Sequence, residues 1–218
     1  MIRAVYFIDF RSGIPLYAKT YSDIGIDSVL LGSFFKALSD FAVELVRDGL
    51  EREKAREGTK ISGTMETYLE QVSIKGFDLI YEIKNPIVVV AIIDKRDDED
   101  AVREGLKKLL ELFTLEFKDA IKAQSPNVSQ FKIFEGTVND ILKHGKLGLI
   151  YPVLKGTLPK FALSMGLIDK EEYEVAQLCK GNLTVDEIAR KLNKRKVDVW
   201  NAIEELKKKE LVELRTVE

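Results

Sequence analysis

The chain has 218 residues, of which 45% are hydrophobic and 32% charged, enough apolar content for one or two cored domains. With 34 basic and 36 acidic residues the formal net charge is -2, which excludes a strongly cationic protein and leaves any nucleic-acid contact to a local patch. One cysteine, Cys179, excludes an intrachain disulfide. The chain opens without a charged-then-apolar leader and contains no apolar run of about 18 residues, so the expectation is a cytoplasmic protein with no membrane insertion.

In chain order, Ile2, Ala4, Tyr6, Ile8 and Phe10 alternate on one strand face, with Val5 and Phe7 on the other. Arg11-Ser12-Gly13 supplies a turn and 14–21 returns as a second strand, giving an opening hairpin. Asp27 or Ser28 caps a helix whose apolar stripe is Leu30, Phe34, Leu38, Phe41 and Leu45, with a stop at Gly49. The charged stretch 51–63 reads as a loop or an extended helix end.

Three strands are expected next: 68–75, an alternating run over 77–84, and Ile87 to Ile93. The last is seven consecutive apolar residues, mostly β-branched, between Asn85-Pro86 and Asp94, and reads as a strand buried on both faces. Asp97 then caps a helix with the stripe Val102, Leu106, Leu109, Phe113, Phe117 and Ile121, and Ser125-Pro126-Asn127 ends it. Phe131, Ile133 and Phe134 begin a short apolar segment before a helix over 137–143 closed by His144-Gly145. The order predicts an α+β domain over 1–146, a five-stranded antiparallel sheet with flanking helices. With two helices on one sheet face, Val5, Phe7 and Ile80 on the other face need cover from a partner or from the 147–166 connector, and are candidate protein-interface residues.

Residues 147–166 are too apolar for a free linker, while Gly148, Gly156, Pro152 and Pro159 interrupt any long element, so a packed connector is expected, with a short helix over 160–165. The rest, 167–218, reads as a separate domain. A helix over 171–180 stops at Gly181. Thr184 with Glu187 forms a capping box for the next helix, whose apolar face is Ile188, Ala189 and Leu192. Asn193 turns the chain into a third helix over 195–208 with Val199, Ile203 and Leu206 inside, and 211–217 forms a strand of a small wing.

Residues 184–214, from Thr184-Val185-Asp186-Glu187-Ile188-Ala189 through Trp200 to Leu214, resemble the core of an archaeal or bacterial winged helix-turn-helix domain. The element order of 1–146 is similar to that of longin-like (profilin-like) domains. The first resemblance implies duplex DNA binding by the third helix, or in other members protein contact alone. The second implies a platform without catalysis that engages protein partners, often near small GTPases, or forms homo- or heterodimers.

On the third helix Arg195 and Lys196 face outward and suit phosphates, and Asn201 suits a base edge. Lys194, Lys207, Lys208 and Lys209 would have to converge on the same side, against Asp198, Glu204 and Glu205. Trp200 reads as a core or interface residue, with DNA stacking as the alternative. Residues 180–218 hold 10 basic and 8 acidic residues, a net of +2, and 167–179 add -3.

No catalytic constellation emerges. His144 is the only histidine and fits a helix C-terminus; Cys179 lies on an apolar face and reads as core. No phosphate loop or dinucleotide fingerprint occurs, and Asp9 reads as a turn cap before a metal ligand. The sequence therefore leads to a protein that is not an enzyme, with no cofactor, metal or small-molecule substrate. It acts through a protein partner or itself as a homo-oligomer, with the alternative of a dimeric DNA-binding transcription regulator.

Overall fold

A computed structural model of the chain describes residues 1–22, 27–34, 36–37, 71–74, 76–122, 127–159 and 161–217. The expected helix positions Leu38, Phe41, Leu45 and Gly49, the stretch 51–63 and the start of the strand over 68–75 lie outside them. The chain divides into two compact units, Met1–Leu147 and Gly148–Glu218.

In the first unit β1 (Ile2–Asp9) and β2 (Ile14–Thr20) form the opening hairpin, followed by a helical segment α1 (residues 28–34), β3 (Gln71–Ile74), β4 (Phe77–Lys84) and β5 (Ile87–Asp94). Every neighbouring pair is antiparallel. The expectation of a single five-stranded sheet is corrected, because the strands fall into two sheets. The body of the first is the four long strands in the order β2-β1-β5-β4, with the four-residue β3 added at the β4 edge. The second is a separate pair, β6 (Ile150–Leu154) with β7 (Val212–Thr216).

β5 is buried along its whole length, as its unbroken apolar run requires. Ile87, Val89, Ala91 and Ile93 belong to one core, and Val88, Val90 and Ile92 to the other. In β1 the pairing with β5 shifts between Ile2 and Ala4. That bulge turns Ile2 onto the same side as Val5 and Phe7, not the Ala4, Tyr6 and Ile8 side that strict alternation predicts.

Asp98, not Asp97, caps α2 (Glu99–Glu116), its side chain accepting from the Ala101 N–H at 3.1 Å. The helix breaks at Phe117 and resumes as α3 (Lys118–Lys122). A 3-10 turn over Val128–Phe134 leads into α4 (Glu135–Ile141), two residues earlier than the spacing suggests. Val102, Leu106, Leu109 and Phe113 of α2, with Phe117, Phe131 and Phe134, pack on Val5, Phe7 and Ile80. The interface expectation for Val5, Phe7 and Ile80 is therefore corrected: all three are fully buried beneath this unit's own helices. The opposite sheet face buries Ala4, Tyr6, Ile8, Leu79 and Tyr81 with Leu31 of α1. Helices thus stand on both faces. Glycine at 32 permits this, since a Cβ there would lie 2.1 Å from the Gly13 carbonyl oxygen of the hairpin turn.

The second unit begins at Gly148, so most of the expected connector belongs to it. β6 pairs with β7, and short α5 (Phe161–Ser164) follows. Pro152 is tolerated in β6 because its backbone faces away from β7, where its carbonyl accepts from the Gly181 N–H. α6 (Lys170–Ala176) opens on a second capping box, Asp169 with Glu172, and α7 (Val185–Leu192) on the Thr184–Glu187 box. Asn193 ends α7 in the left-handed region at φ 50°, and α8 (Lys196–Lys208) follows. β7 pairs with β6, which precedes the helices, instead of with a second wing strand. Among the described residues no helix is long and apolar enough to cross a membrane.

Candidate interaction surface

The α7–turn–α8 segment carries all seven residues considered for DNA contact. Amphipathic packing decides which side α8 shows: Val199, Trp200, Ala202, Ile203 and Leu206 go into the second core, leaving Val197, Asn201, Glu204, Glu205, Lys207 and Lys208 outside. Trp200 is only 7% exposed, with its indole N–H donating to Glu204 Oε1 at 2.6 Å. It is a core residue and offers no stacking face.

The cations do not converge. Arg195 lies bidentate on Asp198, at 2.8 and 2.7 Å. Lys196 reaches Asp186 at 2.8 Å, and Lys208 reaches Glu205 at 2.6 Å. Lys194 sits between Glu171 and Glu174 at 3.0 and 3.2 Å. Lys209 donates to both oxygens of the buried Glu172, at 2.6 and 2.7 Å, tying the start of α6 to the end of α8. Lys207 and Asn201 are exposed. The hydrogen bond from Arg195 holds the Asp198 carboxyl below its ordinary range, and that from Lys208 does the same for Glu205. Glu187 is lowered first by the Thr184 backbone N–H of its capping box.

Exposed pairs of this kind contribute only about 0–1 kcal/mol each. Their weight here is in the field. Each carboxylate lies well within the Debye length, about 10 Å at 0.1 M salt, so its charge offsets its neighbour's at a phosphate. The second unit holds 13 basic and 12 acidic residues from Gly148 to Glu218, a net of +1, and the pairing spreads that balance over the helix surface.

A different feature of this unit had no signal in the helix-turn-helix pattern. α5 and the turn after it hold Phe161 at 59% exposure, Met165 at 67% and Leu167 at 57%. Ala162 and Ile168 anchor it in the core, and the Met165, Gly166 and Leu167 N–H groups donate to Phe161, Leu163 and Ala162 carbonyls. It is a fixed apolar display with no charge from 161 to 168.

The remaining candidates have structural places. The Asp9 carboxylate accepts from the Arg11 backbone N–H at 3.0 Å and from its guanidinium at 3.0 and 2.6 Å, capping the hairpin turn. The Cys179 Sγ–H donates to the Val175 carbonyl, and burial pushes its thiol up to about 12. His144 adopts φ 52° just past α4, beside Lys143 at φ 49°. Among the described residues no group of three or more His, Cys, Asp and Glu is placed to hold a metal ion. Neither a family model nor a curated protein matches this chain.

Proposed function

We propose that this chain is a non-catalytic regulatory or scaffold protein of the cytoplasm that works through protein–protein contacts. Its α7–α8 segment, for all its resemblance to a DNA-reading helix pair, serves as a protein-contact module. One observation carries the reading: Lys194, Arg195, Lys196 and Lys208 each lie on a carboxylate of their own unit. Phosphate neutralisation dominates nucleic-acid affinity, and it needs cations whose field reaches the backbone. The apolar residues Phe161, Met165 and Leu167 support the same reading, since an uncharged, exposed patch suits a protein surface.

The test is an electrophoretic shift of random duplex DNA by the full chain at low ionic strength. The expected result is no retarded band up to high micromolar protein. A retarded complex that disappears as salt is raised would overturn the contact reading in favour of a DNA-binding regulator.

A further inference from the structure

β7 is the outer strand of its sheet, and no strand among the described residues pairs with its far edge. Its hydrogen bonds fix how it faces. The Val217 N–H donates to the Leu149 carbonyl at 3.1 Å, and the Leu211 carbonyl accepts from the Lys155 N–H at 2.8 Å. Alternation then directs the backbone groups of Glu213 and Arg215 toward β6, in register with Val153 and Tyr151. The N–H and C=O groups of Leu214 and Thr216, both part-exposed, point to the far edge, while Val212 is buried at 1% exposure. Such an edge is a template for another strand.

We infer that a second copy of this chain pairs there, β7 against β7, antiparallel about a two-fold axis at Leu214. The charges select this occupant and this register. Centred on Leu214, Glu213 faces Arg215 of the partner subunit, and Arg215 faces Glu213 of the partner subunit. Both lie at the non-hydrogen-bonded positions, where cross-strand side chains come closest. Centring the pair on Glu213 or on Arg215, or running the strands parallel in register, sets like charges opposite each other. In the single chain Arg215 already pairs with Glu213 at 2.6 Å, with both side chains exposed, so the partner's pair meets a complementary pattern. The Leu214 N–H and C=O groups of the two copies gain each other as partners through the contact. The result is a continuous sheet β6-β7-β7-β6 built from the same patch on both copies, as a two-fold interface requires.

The inference rests on the contact reading, and its failure is separable. A monomer that binds no DNA removes the β7 pairing alone, whereas salt-dependent DNA binding removes the contact reading whatever the oligomeric state. The test is sedimentation equilibrium of the full chain and of two variants, with circular dichroism to verify folding. The wild type is expected at twice 24.7 kDa. Arg215→Glu sets Glu against Glu and is expected at the single-chain mass with an unchanged spectrum. The swap Glu213→Arg with Arg215→Glu restores opposite charges and is expected to restore the doubled mass. A monomeric wild type, an Arg215→Glu mass equal to that of the wild type, or a swap that stays monomeric would each overturn the pairing.

Discussion

Phe113→Ala is expected to destabilise the first unit by about 3–5 kcal/mol, the usual range for emptying a fully buried aromatic site. Phe113 has no exposed surface and stands at the centre of an aromatic cluster. Its ring stacks on Phe7 at 4.4 Å with a 30° interplanar angle and lies 5.3 Å from Phe131 at 29°. Phe117 at 4.9 Å and Phe134 at 5.3 Å close the remaining sides. Phe7 belongs to the sheet, Phe113 to α2, and Phe131 and Phe134 to the 3-10 turn, so one ring joins three elements. Alanine removes all four contacts, and the rigid sheet beneath limits collapse. In urea denaturation followed by far-ultraviolet circular dichroism, the first-unit transition should move to lower denaturant. The tryptophan fluorescence transition should stay in place, because the only tryptophan, Trp200, lies in the second core.

Ile203→Ala is the reciprocal experiment. Ile203 is fully buried on α8 among Val175, Ile188, Val199 and Leu206 of the second core. Its truncation is expected to cost that unit about 2–5 kcal/mol. Trp200 lies one turn earlier on the same helix and reports the loss directly. The fluorescence midpoint should fall while the first-unit transition holds its position. Midpoints that move together in both variants would show one cooperative core and contradict the division into units.

Local signals in the sequence reached the elements well. The unbroken apolar run of β5, the stripe of α2 and the Thr184–Glu187 capping box each depend on neighbours within a few residues, and each names its own element. The second capping box, Asp169 with Glu172, obeys the same spacing and was equally readable there. What escaped depends on tertiary partners. The Ile2 bulge exists because of how β1 meets β5, and β6 exists because β7, some sixty residues later, supplies its ladder. Glycine and proline in 147–166 exclude one long element without naming the short strand between them, where the direction of Pro152's backbone lets it sit.

The site was partly legible for the same reason. Arg195 with Asp198 and Lys208 with Glu205 are helix-spaced pairs that the sequence displays. Lys194 with Glu171 and Lys209 with Glu172 join residues 23 and 37 apart and appear only when α6 packs against the α7–α8 segment. The alternation of Val5, Phe7 and Ile80 shows a covered face without showing whether a partner, the 147–166 connector or the unit's own helices cover it. The chain's own helices do so.

In the proposed reading, carboxylates of the second unit cancel the cations that would otherwise face a phosphate backbone. Its most direct measurement is the salt dependence of duplex DNA binding, by fluorescence anisotropy, for the wild type beside a variant carrying Asp186→Asn, Asp198→Asn and Glu205→Gln. The wild type should give no anisotropy change at any salt. The variant, with Lys196, Arg195 and Lys208 released, should bind at low salt, with an affinity that falls steeply as salt is added. Salt-dependent binding by the wild type, or a variant as inert as the wild type, would contradict the claim.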